Sequence, residues 1–133
     1  MNDQSKLRVW QKSLELADKV YSATDRFPSR EVFGLASQMQ RAAVSIGSNL
    51  SEGAGRNSGK EFYQFIGYAN GSANELRFQV EVGLRRNYLS EEERNSLVNE
   101  IDHILRMNDK LQSNLRDLIE RSKKDLTSNS RNT

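Results

Sequence analysis

The 133-residue chain has room for one domain, and 35% apolar residues are enough to build a core, which argues against global disorder. It contains no cysteine, which excludes a disulfide framework and thiolate chemistry and fits a reducing, cytoplasmic setting. A net charge of +2 permits contact with nucleic acid, yet ordinary solubility accounts for it equally well. The opening residues MNDQSKLRVWQK are polar, unlike a signal peptide, and no apolar run approaches the ~20 residues that span a bilayer.

A single proline and few β-branched runs favour helix. In the first predicted helix, over about 5–26, Leu7, Trp10, Leu14, Ala17 and Tyr21 recur at three and four residues with Val20 beside them, and read as a core-facing stripe. Phe27-Pro28 ends it, because proline disfavours helical geometry in the residue before it. The second helix is predicted over 30–53, with Val32, Leu35, Met39, Ala43, Ile46 and Leu50 on its apolar face and a stop at Gly53-Ala54-Gly55. The third, over 59–86, opens on a capping box, Ser58-Gly59-Lys60-Glu61. Phe62, Phe65, Ile66, Ala69, Ala73, Leu76 and Val80 follow at helical spacing, and Asn87-Tyr88-Leu89 breaks the pattern. Ser90-Glu91-Glu92-Glu93 caps the fourth, over 91–122, whose acidic first turn suits a helix dipole. Leu97, Ile101, Ile104, Leu111, Leu115 and Leu118 line it, with Asn108 where a core residue would fall. The period is lost beyond, and 123–133 reads as a polar, flexible tail. Short connections make the all-α, antiparallel up-down-up-down four-helix bundle the economical fold.

Several side-chain groupings bear on function. Arg41, Ser45, Ser48 and Glu52 form one stripe on the second helix whose small serines admit a close neighbour. Gly71, Glu75, Phe78 and Val82 lie opposite the core face of the third helix; Phe78 and Val82 there suggest self-association, against the alternative of two scattered surface residues. Glu100-x-x-His103 has the spacing of a di-iron ligand unit, but one histidine cannot complete such a site, and no metal or cofactor is expected. The run from Gly53 to Lys60 matches no phosphate-loop pattern and joins helix to helix. Arg56 and Lys60 nevertheless flank a helix N-terminus that suits an anion, unless Arg56 simply pairs with Glu52. Further basic residues sit at Lys6, Arg8 and Lys12, at Arg77, Arg85 and Arg86, and at Lys123 and Lys124. They are solvating charges or, if copies align, a salt-sensitive contact for nucleic-acid phosphates. No serine has a plausible base, so catalysis has no foothold and the chain reads as non-enzymatic.

The run Ser45-Ile46-Gly47-Ser48-Asn49-Leu50-Ser51-Glu52-Gly53, followed by Gly55-Arg56, resembles the signature of the bacterial four-helix-bundle family named after 23S rRNA intervening sequences, also called the S23 ribosomal protein family. Val9-Trp10-Gln11-Lys12, Arg41-Ala42-Ala43, Lys60-Glu61-Phe62 and Gly71-Ser72-Ala73-Asn74-Glu75-Leu76 extend the likeness, which covers roughly residues 5–119. At Gly47 relatives often carry proline. The resemblance implies a left-handed up-and-down bundle and a homopentameric ring. Some relatives are accessory proteins of diversity-generating retroelements that bind nucleic acid and a reverse transcriptase through a basic surface. The expectation is therefore an oligomeric scaffold contacting RNA or DNA through Arg56, Lys60, Arg77, Arg85 and Arg86. The alternative is a module that recruits another enzyme without touching nucleic acid. In either case Arg41, Ser45, Ser48, Asn49, Glu52, Gly53, Gly55 and Glu75 are read as architectural. Asn49 and Glu52 are placed near the buried side, bonding to arginines or loop N–H groups.

Overall fold

A computed structural model of the protein describes residues 3–132, with side chains over 4–128. Residues 1 and 2 of the expected bundle, and the side chains of 129–133 in the expected tail, lie outside these bounds. The described residues form four helices and no strand: α1 (Asp3–Thr24), α2 (Leu35–Ala54), α3 (Gly59–Arg85) and α4 (Glu91–Asn132). A 3-10 turn, Ser29–Glu31, precedes α2. The helices pack as a square, α1 on α2, α2 on α3, α3 on α4 and α4 on α1. Cross-helix pairs set the directions. Gln40 of α2 donates to Thr24 of α1, while Gly47 faces Ser13. Ser45 bonds to Ser72 and Gly53 abuts Phe65. Arg77 meets Asp102, and Arg116 meets Tyr63. In each pair one number rises as the other falls, so neighbours run antiparallel. Among the described residues, no helix is long and apolar enough to cross a membrane.

The core holds Leu16, Val20, Met39, Ile46, Ile66, Leu76, Val80, Ile101 and Ile104, all fully buried. Three of the four apolar faces fall where their periods put them, apart from Val32 and Leu118 at their ends, which are exposed. The α1 face does not. Leu7, Trp10, Leu14 and Tyr21 are exposed, and the buried stripe is Val9, Ser13, Leu16, Val20 and Ala23. These stripes are offset by one residue, ~100° around a helix. Ser13 hides the true period because it is polar. It is nevertheless 1% exposed, since its hydroxyl donates to the Val9 carbonyl at 2.8 Å and leaves nothing unsatisfied.

Two further corrections concern boundaries. α2 begins at Leu35, five residues later than expected from 30, because the chain turns through the 3-10 segment and uses Gly34 as N-cap; Val32 is left exposed. α4 continues through the stretch read as a tail. That stretch lacks apolar period but also lacks glycine and proline, so nothing in it breaks a helix. At ~63 Å against ~40 Å for α3, α4 outruns the bundle, and the side chains of 120–128 are all exposed.

Helix ends are held by specific bonds. Glu61 N–H donates to Ser58 Oγ at 3.1 Å. At α4 the box is reciprocal: Glu93 N–H to Ser90 Oγ at 3.1 Å, Ser90 N–H to Glu93 Oε1 at 3.0 Å. The α3 terminus is a Schellman motif. Tyr88 N–H reaches Gly83 O at 2.9 Å, Asn87 N–H reaches Leu84 O at 3.0 Å, and Asn87 takes φ 63°. The core polar position, Asn108, is 0% exposed and donates to Asn70 at 2.9 Å.

The Glu93 carboxyl is held below its ordinary value of 4.5, first by the Ser90 N–H and also by the Ser90 hydroxyl and Arg26, against partial burial. Its stabilising contribution is therefore complete above the unfolded value and lost as pH falls through the lower folded one. Urea denaturation should show Ser90→Ala costing about 1 kcal/mol at pH 7. The deficit of Glu93→Gln relative to wild type should shrink below pH ~4.5. A deficit that stayed constant down to pH 3 would contradict this account of the cap.

Candidate interaction surfaces

The α1 stripe displaced from the core lines an open surface between α1 and α2. Trp10, Leu14 and Ala17 of α1 face Val44, Gly47, Ser48 and Ser51 of α2 across an open groove of ≈ 480 Å³. Leu14 is 59% exposed. Toward the start of α1 the groove continues into a second hollow of ≈ 390 Å³ lined by Leu7, Trp10, Leu50, Ala54 and Phe62. In the first groove α2 presents only small residues, Gly47, Ser48 and Ser51, and a Cβ on Gly47 would lie 3.5 Å from Ser13 Cβ. Leu7, Trp10, Leu14 and Tyr21 all stand exposed along this side of α1, and clustered exposed apolar side chains of this kind commonly mark interaction sites.

The residues expected at an oligomer contact lie elsewhere. Gly71, Phe78 and the half-buried Val82 run along the outer face of α3, with Phe78 70% exposed and nothing near the position of a Gly71 Cβ. Tyr68, also exposed, extends the same three-and-four spacing, so one stripe, here called the ridge, runs along α3 from Tyr68 to Val82. Glu75 is exposed on this ridge and accepts from Gln79 at 3.2 Å. α1 and α3 are not neighbours in the square, although Lys6 reaches over the Phe62 ring at 5.2 Å, and the ridge is on the exposed face of α3 while the groove lies between α1 and α2.

The five basic residues expected to hold nucleic acid do not converge. Arg56 and Lys60 are at the start of α3; Arg85 and Arg86 are at its end, ~40 Å away. Arg56 is engaged, pairing with Glu52 at 2.7 Å and lying 5.1 Å from the Phe65 ring centroid. Arg77 pairs with Asp102 at 2.7 Å. Among the described residues, Lys60, Arg85 and Arg86 have no carboxylate partner within 4.0 Å. No group of three or more metal-ligating side chains converges among the described residues.

The α2 stripe divides. Ser45 Oγ bonds Ser72 Oγ at 2.8 Å, tying α2 to α3, and Asn49 Nδ2 donates back to the Ser45 carbonyl at 2.8 Å. Asn49 thus bonds within its own helix, not to an arginine or loop N–H. Ser48 is exposed and lines the groove; Arg41 is exposed beside it. Glu52 is exposed rather than near a buried side, and its partner is Arg56, one turn on. Gly53 is buried against α3, where an added Cβ would fall 2.5 Å from Phe65 Cβ; Gly55 is exposed and caps α2.

Sequence reading missed Trp10, Leu14 and Tyr21 as surface residues, and passed over Phe33, Tyr68 and Arg30. For α1 a signal existed: the chain carries two offset stripes, Val9-Ser13-Leu16-Val20 and Leu7-Trp10-Leu14-Tyr21, one more than a core needs.

These features define a four-helix bundle whose distinctive chemistry is on its outside. The chain belongs to the 23S rRNA-intervening sequence protein family, whose model matches residues 5–110. Its fold is similar to the crystal structure of a protein of unknown function from the S23 ribosomal protein family of Bacteroides thetaiotaomicron, with a TM-score of 0.76 and 24% identity over 82% of this chain and 98% of that one. No curated protein matches the chain.

Gly53→Ala should cost about 1–3 kcal/mol in urea unfolding, because the new methyl group must displace Phe65. Gly71→Ala, with open space at its Cβ, should be neutral or slightly stabilising in the same measurement. Equal effects at the two sites would contradict the packing described.

Proposed function

We propose that the protein is a non-catalytic, self-associating scaffold whose subunits join through the α1/α2 groove. The observation that carries this reading is the uncovered apolar stripe Leu7-Trp10-Leu14-Tyr21 beside the small residues of α2. The α3 ridge is the natural counterpart. It carries the exposed Tyr68 and Phe78 and belongs to a helix that is not a neighbour of α1 in the square. A groove and a ridge on different faces make a head-to-tail contact, which closes into a ring when the rotation permits; five subunits is the number the family resemblance implies.

A second reading adds nucleic-acid contact, supported by unpaired Lys60, Arg85 and Arg86. In a ring these residues would repeat around each rim, so modest charge per chain would sum to a local positive potential. Binding of this kind goes to the backbone and weakens with salt.

Light scattering across micromolar concentrations should report a defined oligomer for the wild type and a monomer for Leu14→Asp, whose circular dichroism stays helical because the position is solvent-facing in the single chain. A wild-type monomer would refute the scaffold. With the oligomer intact, Arg85→Glu with Arg86→Glu should weaken RNA and duplex DNA binding at low salt; unchanged binding would refute the second reading.

A further inference from the structure

We infer that the Asn70–Asn108 pair is a register lock: it holds α4 in one of two positions that the apolar ladders of α3 and α4 accept equally. The lock belongs to the single chain and does not depend on how copies meet. The buried ladder of α4 is Leu97, Ile101, Ile104, Asn108, Leu111 and Leu115. It steps by four and three without a break, a strict seven-residue repeat. α3 buries Phe62, Ile66, Ala69, Ala73, Leu76 and Val80 on the same repeat. Two ladders of period seven match again after a slide of seven residues, ~10.5 Å along the helix.

α4 has the spare length for such a slide. Moved one heptad toward its own start, it would bring Leu118, now 41% exposed, into the place of Leu111, and Ser122 into that of Leu115. The link 86–90 is long enough, since an extended chain covers ~3.5 Å per residue. The ion pair between the two helices does not choose between the registers. Arg77 meets Asp102 at 2.7 Å, and Asp109 would arrive in the place of Asp102. Pairs this exposed contribute little in any case. From the turn, Leu89, buried beside Gly83, resists the slide.

Asn108 resists it from the core. Its side chain is 0% exposed, and its Nδ2 donates to Asn70 Oδ1 at 2.9 Å. Asn108 Oδ1 has no partner among the described residues. A half-satisfied buried amide lowers stability relative to a leucine on the same step of the ladder. The slid register raises that cost further, because the amide would move into the place of Ile101 and lose Asn70, while Leu115 came to stand against Asn70. One polar residue in an apolar heptad ladder fixes register in coiled coils through this same penalty.

The chain has no cysteine, so pairs of thiols report register without background. Arg77→Cys with Asp102→Cys reports the observed register, and Arg77→Cys with Asp109→Cys the slid one. Each full-length variant would be treated with a short bismaleimide and the intrachain product followed by denaturing electrophoresis. The cross-link is irreversible, so its rate tracks even a minor population. With Asn70 and Asn108 in place, the first pair should link rapidly and the second slowly. Adding Asn108→Leu, or Asn70→Leu, should speed the second pair about tenfold, because the registers no longer differ by a bonded against an unpaired amide. If Asn108→Leu overpacks the core and does not fold, Asn108→Ala carries the same comparison. A second-pair rate that none of these substitutions changes would overturn the lock. So would a second pair that links as fast as the first while both asparagines are present.

Discussion

The close approach of α2 to both its neighbours is the constraint on which the rest of the structure depends. Gly53 packs where any side chain would collide with Phe65, Ser45 and Ser72 share a hydrogen bond across the α2–α3 contact, and Gly47 meets Ser13 across α1–α2. Small residues at three levels of one helix draw α1 and α3 inward. The α1 side that meets them is the slender one, Val9, Ser13 and Leu16, with Ser13 satisfying its own hydroxyl. The bulkier stripe of Trp10 and Leu14 is thereby turned outward, one residue and ~100° away. The exposed groove and the tight core are two sides of the same packing choice.

This explains which parts of the architecture were legible in the chain alone. Helix number, the faces of α3 and α4, and both serine caps rest on local rules, and the structure follows them at Ser58, Ser90 and Asn87. The polar exception at Asn108 also fell inside, where it bonds Asn70. Hydrophobic period misplaces the α1 face because Ser13, which satisfies its hydroxyl on the Val9 carbonyl, occupies a core position. The start of α2 failed because a 3-10 turn and a glycine cap leave no strong mark on apolar periodicity. The length of α4 failed because loss of period ends packing, not helix, when no breaker is present.

The surface was less legible than the core, for a physical reason. Arg56 pairs with Glu52 one turn away, as its spacing allows. Arg77 looks alike in sequence to Arg85 and Arg86, yet it is spent on Asp102 while the other two have no carboxylate partner among the described residues. Which charge is free depends on residues that tertiary structure brings near, 25 positions apart in the case of Arg77 and Asp102. The signature segment of α2 is likewise mostly structural: Ser45 and Gly53 build the α2–α3 contact, Asn49 braces Ser45 from within α2, and Ser48 with Gly47 shapes the groove. A motif that identifies the family thus creates a surface without supplying reactive groups to it.

The central claim is that groove and ridge recognise each other between copies. The chain has no cysteine, so single thiols can be placed without background. Two proteins, Leu14→Cys and Phe78→Cys, would be mixed at micromolar concentration under mild oxidation and resolved by non-reducing electrophoresis. The account predicts a mixed disulfide dimer formed far faster than either self-linked dimer. Efficient self-linking of Leu14→Cys with no mixed product would mean a twofold groove-to-groove contact, and would contradict it.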